Sequence, residues 1–203
     1  MKLVAVSQRV DTYPDRSETR DALDQCLITF LRMAGYLAVP VPNGLHTETP
    51  DKYHPRILEV WLTAVAPSAI VLSGGNDIGQ YAARDFTEEA LLDYARSHQL
   101  PALGICRGMQ MMAHWAGTRL HAVEGHVQTR HQLSGHIVDD VNSYHSYSLM
   151  NCPDGFEVFA HSEDGEIEAI RHVSLPWQGW MWHPEREKEF NLRDIQRLRD
   201  LFI

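Results

Sequence analysis

Cys106 stands between Gly104 and Gly108 in the run Pro101-Ala-Leu-Gly-Ile-Cys-Arg-Gly-Met-Gln-Met-Met-Ala-His-Trp115. That is the spacing of a G-x-S-x-G nucleophile elbow with sulfur in place of oxygen. The apolar run breaks at Cys106 and resumes with helical spacing, so it reads as a buried strand, a one-residue corner and a helix. Glycines two residues either side remove the β-carbons that would clash as the chain reverses. A sulfur at such a corner projects out of the sheet at the first turn of a helix, where unpaired N–H groups and the helix dipole favour thiolate over thiol. The competing reading is a small buried cysteine in an ordinary turn.

A cysteine nucleophile needs a base that takes its proton and returns it to the leaving group, and a third polar group usually orients that base. His183-Pro184-Glu185 offers both. At a strand end residues i and i+2 lie on one side, so the imidazole and the carboxylate can touch while Pro184 stiffens the link. The oxyanion of an acyl transfer needs fixed donors, most simply backbone N–H groups. Arg107, directly after Cys106, and Gly75 in Ser73-Gly-Gly-Asn-Asp77 are the candidates. Asn142-Ser-Tyr-His-Ser-Tyr147 reads as a polar, aromatic loop, either offering groups to a substrate or simply solvated.

Histidines 121, 126, 131, 136 and 145 raise the question of a metal. Their spacing of mostly five matches neither a helix face nor a strand face, and no second cysteine or carboxylate cluster completes a tetrahedral set. No metal and no cofactor are therefore expected.

The elements that would position these groups alternate between strand and helix. Apolar runs at 3–6, 36–41, 69–72, 102–105 and 178–182 read as strands, and helical stretches are expected from Ser17 or Thr19 to Ala34, over about 51–65, over 88–98 and over 191–201. Cys26 falls on the apolar face of the first helix and is expected in the core. Residues 7–16 read as a loop. Beyond Gly117 short strand-like pieces at 135–138, 156–160 and 167–170, separated by Pro-Asp-Gly and Glu-Asp-Gly turns, look like antiparallel additions. The pattern predicts an α/β fold: an open, mostly parallel central sheet with helices on both faces and added antiparallel edge strands. Ligands of such a sheet bind outside the carboxyl ends of its strands. The loops after Val6, Leu72 and Ile105 then share one rim, and Arg9 and Arg16 lie in the first of them. An arginine fork there suits a phosphate or carboxylate, unless Arg9 is taken up by Asp11 or Asp15.

The chain's 203 residues can build one domain with a full core, and residues 1–203 are read as one unit. No apolar run approaches the ~18 residues of a membrane helix, and Met1-Lys-Leu-Val-Ala-Val-Ser7 is too short for a signal-peptide core, so a cytoplasmic protein is expected. A formal charge of −9 gives no support for nucleic-acid binding. Three cysteines without C-x-x-C spacing argue for reduced thiols.

Taken together, Ser73-Gly-Gly-Asn-Asp77, Gly104-Ile-Cys-Arg-Gly-Met-Gln110, Asn142-Ser-Tyr-His145 and Gly179-Trp-Met-Trp-His-Pro-Glu185 resemble class I glutamine amidotransferases, in particular the gamma-glutamyl hydrolase branch. They occur in the family's order and span most of the chain. The resemblance implies a flavodoxin-like sheet and a Cys106-His183-Glu185 triad. It also implies an oxyanion hole from Gly75 and Arg107, gamma-glutamyl recognition through Gln110, Ser143 and Tyr144, and a glutamyl-thioester intermediate. One departure is Met181, where the family usually has Gln two residues before the histidine.

Three readings follow. The first is a free-standing hydrolase acting on a small-molecule gamma-glutamyl amide, with Arg9 as a candidate for a phosphate-bearing leaving group such as a nucleotide amidate. Asp77, where synthetase-coupled relatives commonly have proline, favours it. The second is a glutaminase subunit that delivers ammonia to a partner synthetase, and the third is a noncatalytic binding module. The oligomeric state is left open.

Overall fold

In the computed structural model, which describes residues 1–45 and 57–203, the centre is an eight-stranded sheet. Its parallel part consists of β1 (Lys2–Ser7), β4 (Tyr36–Val41), β5 (Ala69–Leu72), β6 (Ala102–Ile105) and β14 (Trp177–Trp180). The hairpin β2 (Arg9–Tyr13) and β3 (Glu18–Ala22) lies between β1 and β4 in sequence and stands outside the sheet. From β14 the sheet continues antiparallel through β13 (Ile167–His172), β12 (Phe156–His161) and the two-residue β9 (Ser134–Gly135). The order is β4-β1-β5-β6-β14-β13-β12-β9, a flavodoxin-like parallel core with an antiparallel extension.

β5, β6 and the second half of β1 are fully buried, both of their faces being covered. Val4, Val6, Val71, Leu103 and Ile105 point to one side, where α1 (Gln25–Ala34) and α5 (Leu192–Leu201) bring Leu27, Phe30, Leu31, Ile195 and Leu198. Ala5, Ile70, Leu72 and Ala102 point to the other, against α2 (Ile57–Val65), α3 (Ala82–Ser97) and α4 (Arg107–Trp115). Among the described residues no helix is long and apolar enough to cross a membrane.

Several sequence expectations are corrected. Residues 7–16 are largely strand, and α1 starts at Gln25 with Asp24 as its cap, accepting from the Cys26 N–H, in place of Ser17 or Thr19. Residues 18–22 pair across the hairpin, Asp11 opposite Arg20 and Val10 opposite Asp21, so polar cross-strand partners replace an apolar face. Cys26, in the first turn of the shortened helix, is exposed. Helix α3 begins at Ala82, six residues before the expected start, its first turns placing Arg84, Thr87 and Glu88 inward. Of the helix expected over 51–65, residues 51–56 lie outside the described residues.

The 142–147 stretch is not a simple loop. β10 (Asp140–Tyr144) pairs with β8 (Val127–Gln132), and β11 (Tyr147–Leu149) pairs with β7 (Leu120–Ala122). Asn142, Ser143 and His145 are buried. Of the strand expected over 135–138 only Gly135 is strand, in β9.

Candidate active site

The carboxyl ends of β5, β6 and β14 converge, and each delivers one part of the site. Cys106 follows β6 as the N-cap of α4, with φ 50° and ψ −106°, a conformation that L side chains seldom adopt. Its N–H donates to Trp180 O on β14 at 2.7 Å, which fixes the corner against the neighbouring strand. The corner requires its glycines. A Cβ on Gly104 would lie 2.5 Å from the Gly108 carbonyl carbon, and one on Gly108 would overlap the Leu72 carbonyl.

His183 leaves the end of β14, buried, with Nδ1 2.6 Å from Glu185 Oε1. Asn142 clamps its backbone from both sides, donating from Nδ2 to the His183 carbonyl at 2.8 Å and accepting from the His183 N–H at 2.9 Å. The ring lies over Gly74, where a Cβ would stand 2.6 Å from Cε1. Burial alone would lower the pKa of His183. The charges of Glu185 and Cys106, with the hydrogen bonds to both, outweigh it and raise the value to about 9. The imidazole is thus held as an imidazolium at neutral pH.

The Ser73–Asp77 turn closes the site from the β5 side. Gly75 has φ +118°, open to glycine and strained for other residues. Buried Arg84 holds this turn, donating to Ser73 O at 2.8 Å, Gly74 O at 3.0 Å and Asn76 Oδ1 at 3.2 Å. Arg107 donates to Asn76 O at 3.1 Å and pairs with Asp85 and Glu88. Glu88 also bonds Arg84 and accepts from the Ser7 hydroxyl at 2.7 Å. Burial pushes Arg84 down to about 10 and Arg107 down to about 9, so both stay charged at neutral pH. Sequence reasoning missed Arg84 and Glu88, whose i,i+4 spacing just before an apolar helical stretch was the available signal.

One cleft brings together Gly75, Cys106, Arg107, Gln110, Tyr144 and His183. The Gln110 side-chain amide donates to Tyr147 O at 2.9 Å, and the Tyr144 ring meets the His183 ring edge to face at 5.8 Å between centroids. Ser143 is not placed there by its side chain: it is fully buried and its hydroxyl donates to His126 O at 2.7 Å. Arg9 is outside as well. Its Nε donates to Asp11 at 2.9 Å, and it lines a neighbouring hollow with Ser73, Gly74 and Gly75. Beside buried Arg107, the cleft has an exposed arginine, Arg186, with its guanidinium 5.0 Å from the Tyr144 ring centroid.

Comparison with known proteins gives this geometry its family. The family model described as "Glutamine amidotransferase class-I" matches residues 42–199. A gamma-glutamyl-CDP-amidate hydrolase of Campylobacter jejuni is 31% identical over 140 residues, covering 66% of this chain and 69% of that protein. A glutamine-hydrolyzing GMP synthase subunit of Thermococcus kodakarensis is 29% identical over 177 residues, covering 82% and 86%. The corresponding subunit of Methanocaldococcus jannaschii is 31% identical over 126 residues, covering 57% and 63%. The crystal structure of a Thermoplasma acidophilum protein described as a GMP synthase subunit superposes with a TM-score of 0.69 at 20% identity, covering 100% of this chain and 94% of that one, a likeness of fold. The chain belongs to the class I glutamine amidotransferase family.

Proposed function

We propose that residues 1–203 act as one cysteine hydrolase that cleaves a gamma-glutamyl amide through a glutamyl thioester. The observation that carries the reading is His183, held between Glu185 and Cys106 with its pKa raised to about 9. The Cys106 thiolate attacks the gamma-carbonyl carbon, and the oxyanion forms against the N–H groups of Gly75 and Arg107. The His183 imidazolium gives its proton to the leaving nitrogen as the C–N bond breaks, leaving a thioester on Cys106. Neutral His183 then takes a proton from water, the hydroxide attacks the thioester, and glutamate leaves as the thiolate and imidazolium are restored. Gln110 and Tyr144 bound the glutamyl side of the cleft.

The acid role sets the pH dependence. His183 is held charged far above the ordinary value of about 6.5, so its charged form persists up to about 9 and is lost as pH rises through that value. kcat/KM should fall on the alkaline side of about pH 9. His183→Ala should cost more turnover than Glu185→Ala, because the carboxylate orients and stabilises the imidazolium without reacting itself. A His183→Ala protein as active as wild type across neutral pH would end this reading.

For the leaving group we favour a phosphate-bearing amidate. The reading is supported by the relative named gamma-glutamyl-CDP-amidate hydrolase and by Arg186 at the cleft. Arg9, already engaged by Asp11, is the weaker candidate. Arg186→Ala should raise KM about tenfold for a gamma-glutamyl phosphoramidate and leave a neutral gamma-glutamyl amide nearly unchanged, whereas Arg9→Ala should leave both nearly unchanged. An equal effect of Arg186→Ala on both substrates would remove the phosphate assignment.

The GMP synthase subunits among the relatives support a second reading, a glutaminase that passes ammonia to a synthetase. Steady-state assays of the isolated chain separate the two. A free-standing hydrolase turns over the amidate unaided, and a glutaminase subunit hydrolyses glutamine slowly until its synthetase is added.

A further inference from the structure

Away from Cys106, three histidines and a glutamate meet in the interior. His126 precedes β8, His131 lies on β8, His145 joins β10 to β11, and Glu168 sits on β13. All four are buried, and one ligand atom from each lies within 4.8 Å of all the others. His126 Nδ1 is 3.3 Å from His145 Nε2 and 3.5 Å from Glu168 Oε1, and His145 Nε2 is 3.2 Å from Glu168 Oε1. A Zn²⁺ ion with bonds of about 2.0–2.1 Å spaces its tetrahedral ligand atoms about 3.3–3.4 Å apart.

The outer faces of the rings settle which nitrogens point inward as acceptors. His126 Nε2 lies 2.8 Å from Asp164 Oδ2, and His145 Nδ1 lies 3.0 Å from the Tyr147 carbonyl. Both partners are acceptors, so both outer nitrogens carry the proton. With a neutral ring on each side, the facing nitrogens, His126 Nδ1 and His145 Nε2, would present lone pairs to each other and to Glu168, an arrangement that repels unless a cation lies between them. A carboxylate and a backbone carbonyl are also the outer partners that metal-bound histidines typically have. Imidazolium protons shared with Glu168 would relieve the first two nitrogens. They would still leave His131 Nε2 and Glu168 Oε2, both buried and, among the described residues, without hydrogen-bond partners, at the cost such atoms carry.

We propose that His126, His131, His145 and Glu168 bind one divalent transition-metal ion, Zn²⁺ by preference, in a closed structural site. Four protein ligands fill a tetrahedron and leave no open position for substrate, so the ion has a structural role and takes no part in the reaction. It ties the β8–β10 ribbon to β13 of the main sheet. That ribbon carries Asn142, the clamp on the His183 backbone, and Tyr144, the ring against His183.

The test is metal content by mass spectrometry, combined with titration of the chelator-treated full chain with Zn²⁺ and with Co²⁺. Wild type should take up one equivalent at micromolar free metal. It should show the intense visible bands of tetrahedral Co²⁺ and a Tm raised by roughly 5 °C or more on binding. His131→Phe keeps a ring in place and removes the nitrogen that has no partner; it should fold, show no Co²⁺ bands and have a Tm indifferent to metal. Should that variant fail to fold, Glu168→Gln and the wild-type titration decide. Wild type that binds neither ion and has the same Tm with and without metal would overturn the proposal, as would a His131→Phe protein with undiminished stoichiometric uptake.

Discussion

Replacing Cys106 with alanine should lower kcat by about 10⁴-fold or more while leaving the fold intact. The thiol is the reacting group of the proposed mechanism, and alanine retains the Cβ that the corner already accommodates. Cys106→Gly should be equally inactive yet more stable by about 1 kcal/mol, since glycine relieves the backbone strain at φ 50°, ψ −106°. Labelling completes the test. Cys26 is exposed and Cys152 half-buried, so a general alkylator will find Cys26. An electrophilic glutamine analogue, directed by the cleft, should instead add its mass to Cys106. Labelling of Cys26 or Cys152 by that analogue, or turnover surviving in Cys106→Ala, would sink the assignment.

The second large effect is expected at Glu88, which is not among the residues lining the cleft. Its carboxylate is fully buried and pairs with Arg84 and Arg107, themselves nearly inaccessible. Glu88→Ala removes the buried carboxylate that Arg84 and Arg107 share and leaves Asp85 as the direct ion-pair partner of Arg107, which should cost about 3–5 kcal/mol. In a chain of this size that is a fall in Tm of roughly 10 °C. Arg84 also fastens Ser73, Gly74 and Asn76, so the surviving folded protein should lose kcat through a loosened Gly75 turn. Glu89→Ala, one residue on and half-exposed beside His114, is the control and should shift stability by less than about 0.5 kcal/mol. Equal melting of the two variants would show that the ion cluster does not hold the turn.

What the sequence disclosed and what it hid divide along physical lines. The parallel strands and α4 were legible because both sheet faces are covered and every residue from Ala69 to Leu72 and from Ala102 to Ile105 is buried, which leaves an unbroken apolar run. The site's residue types were legible because they cluster at strand ends. The β2–β3 hairpin was hidden because it stands apart from the sheet and buries only Val10, so no alternation marks it. The early turns of α3 were hidden because their inward face is charged, the reverse of the usual helix pattern. Three members of the four-residue cluster, His126, His131 and His145, were in view, but their spacing fitted no single element because strand pairing brings them together. Glu168, a carboxylate in the apolar run Ile167-Glu-Ala-Ile170, was the member left out. Ser143 shows the limit of motif transfer: the residue is present, yet its hydroxyl serves the His126 carbonyl.

The adjacency of β6 and β14 has a consequence for the order of events in synthesis. These strands are hydrogen-bonded neighbours, but all the chain from α4 through β13 is made between them, and pairing across so long a loop is late and slow. Until β14 docks, Cys106 has neither the carbonyl of Trp180 that seats its corner nor His183 to share its proton. On the ribosome the chain therefore carries Cys106 without its partners, and the proposed site is complete only when β14 closes beside β6.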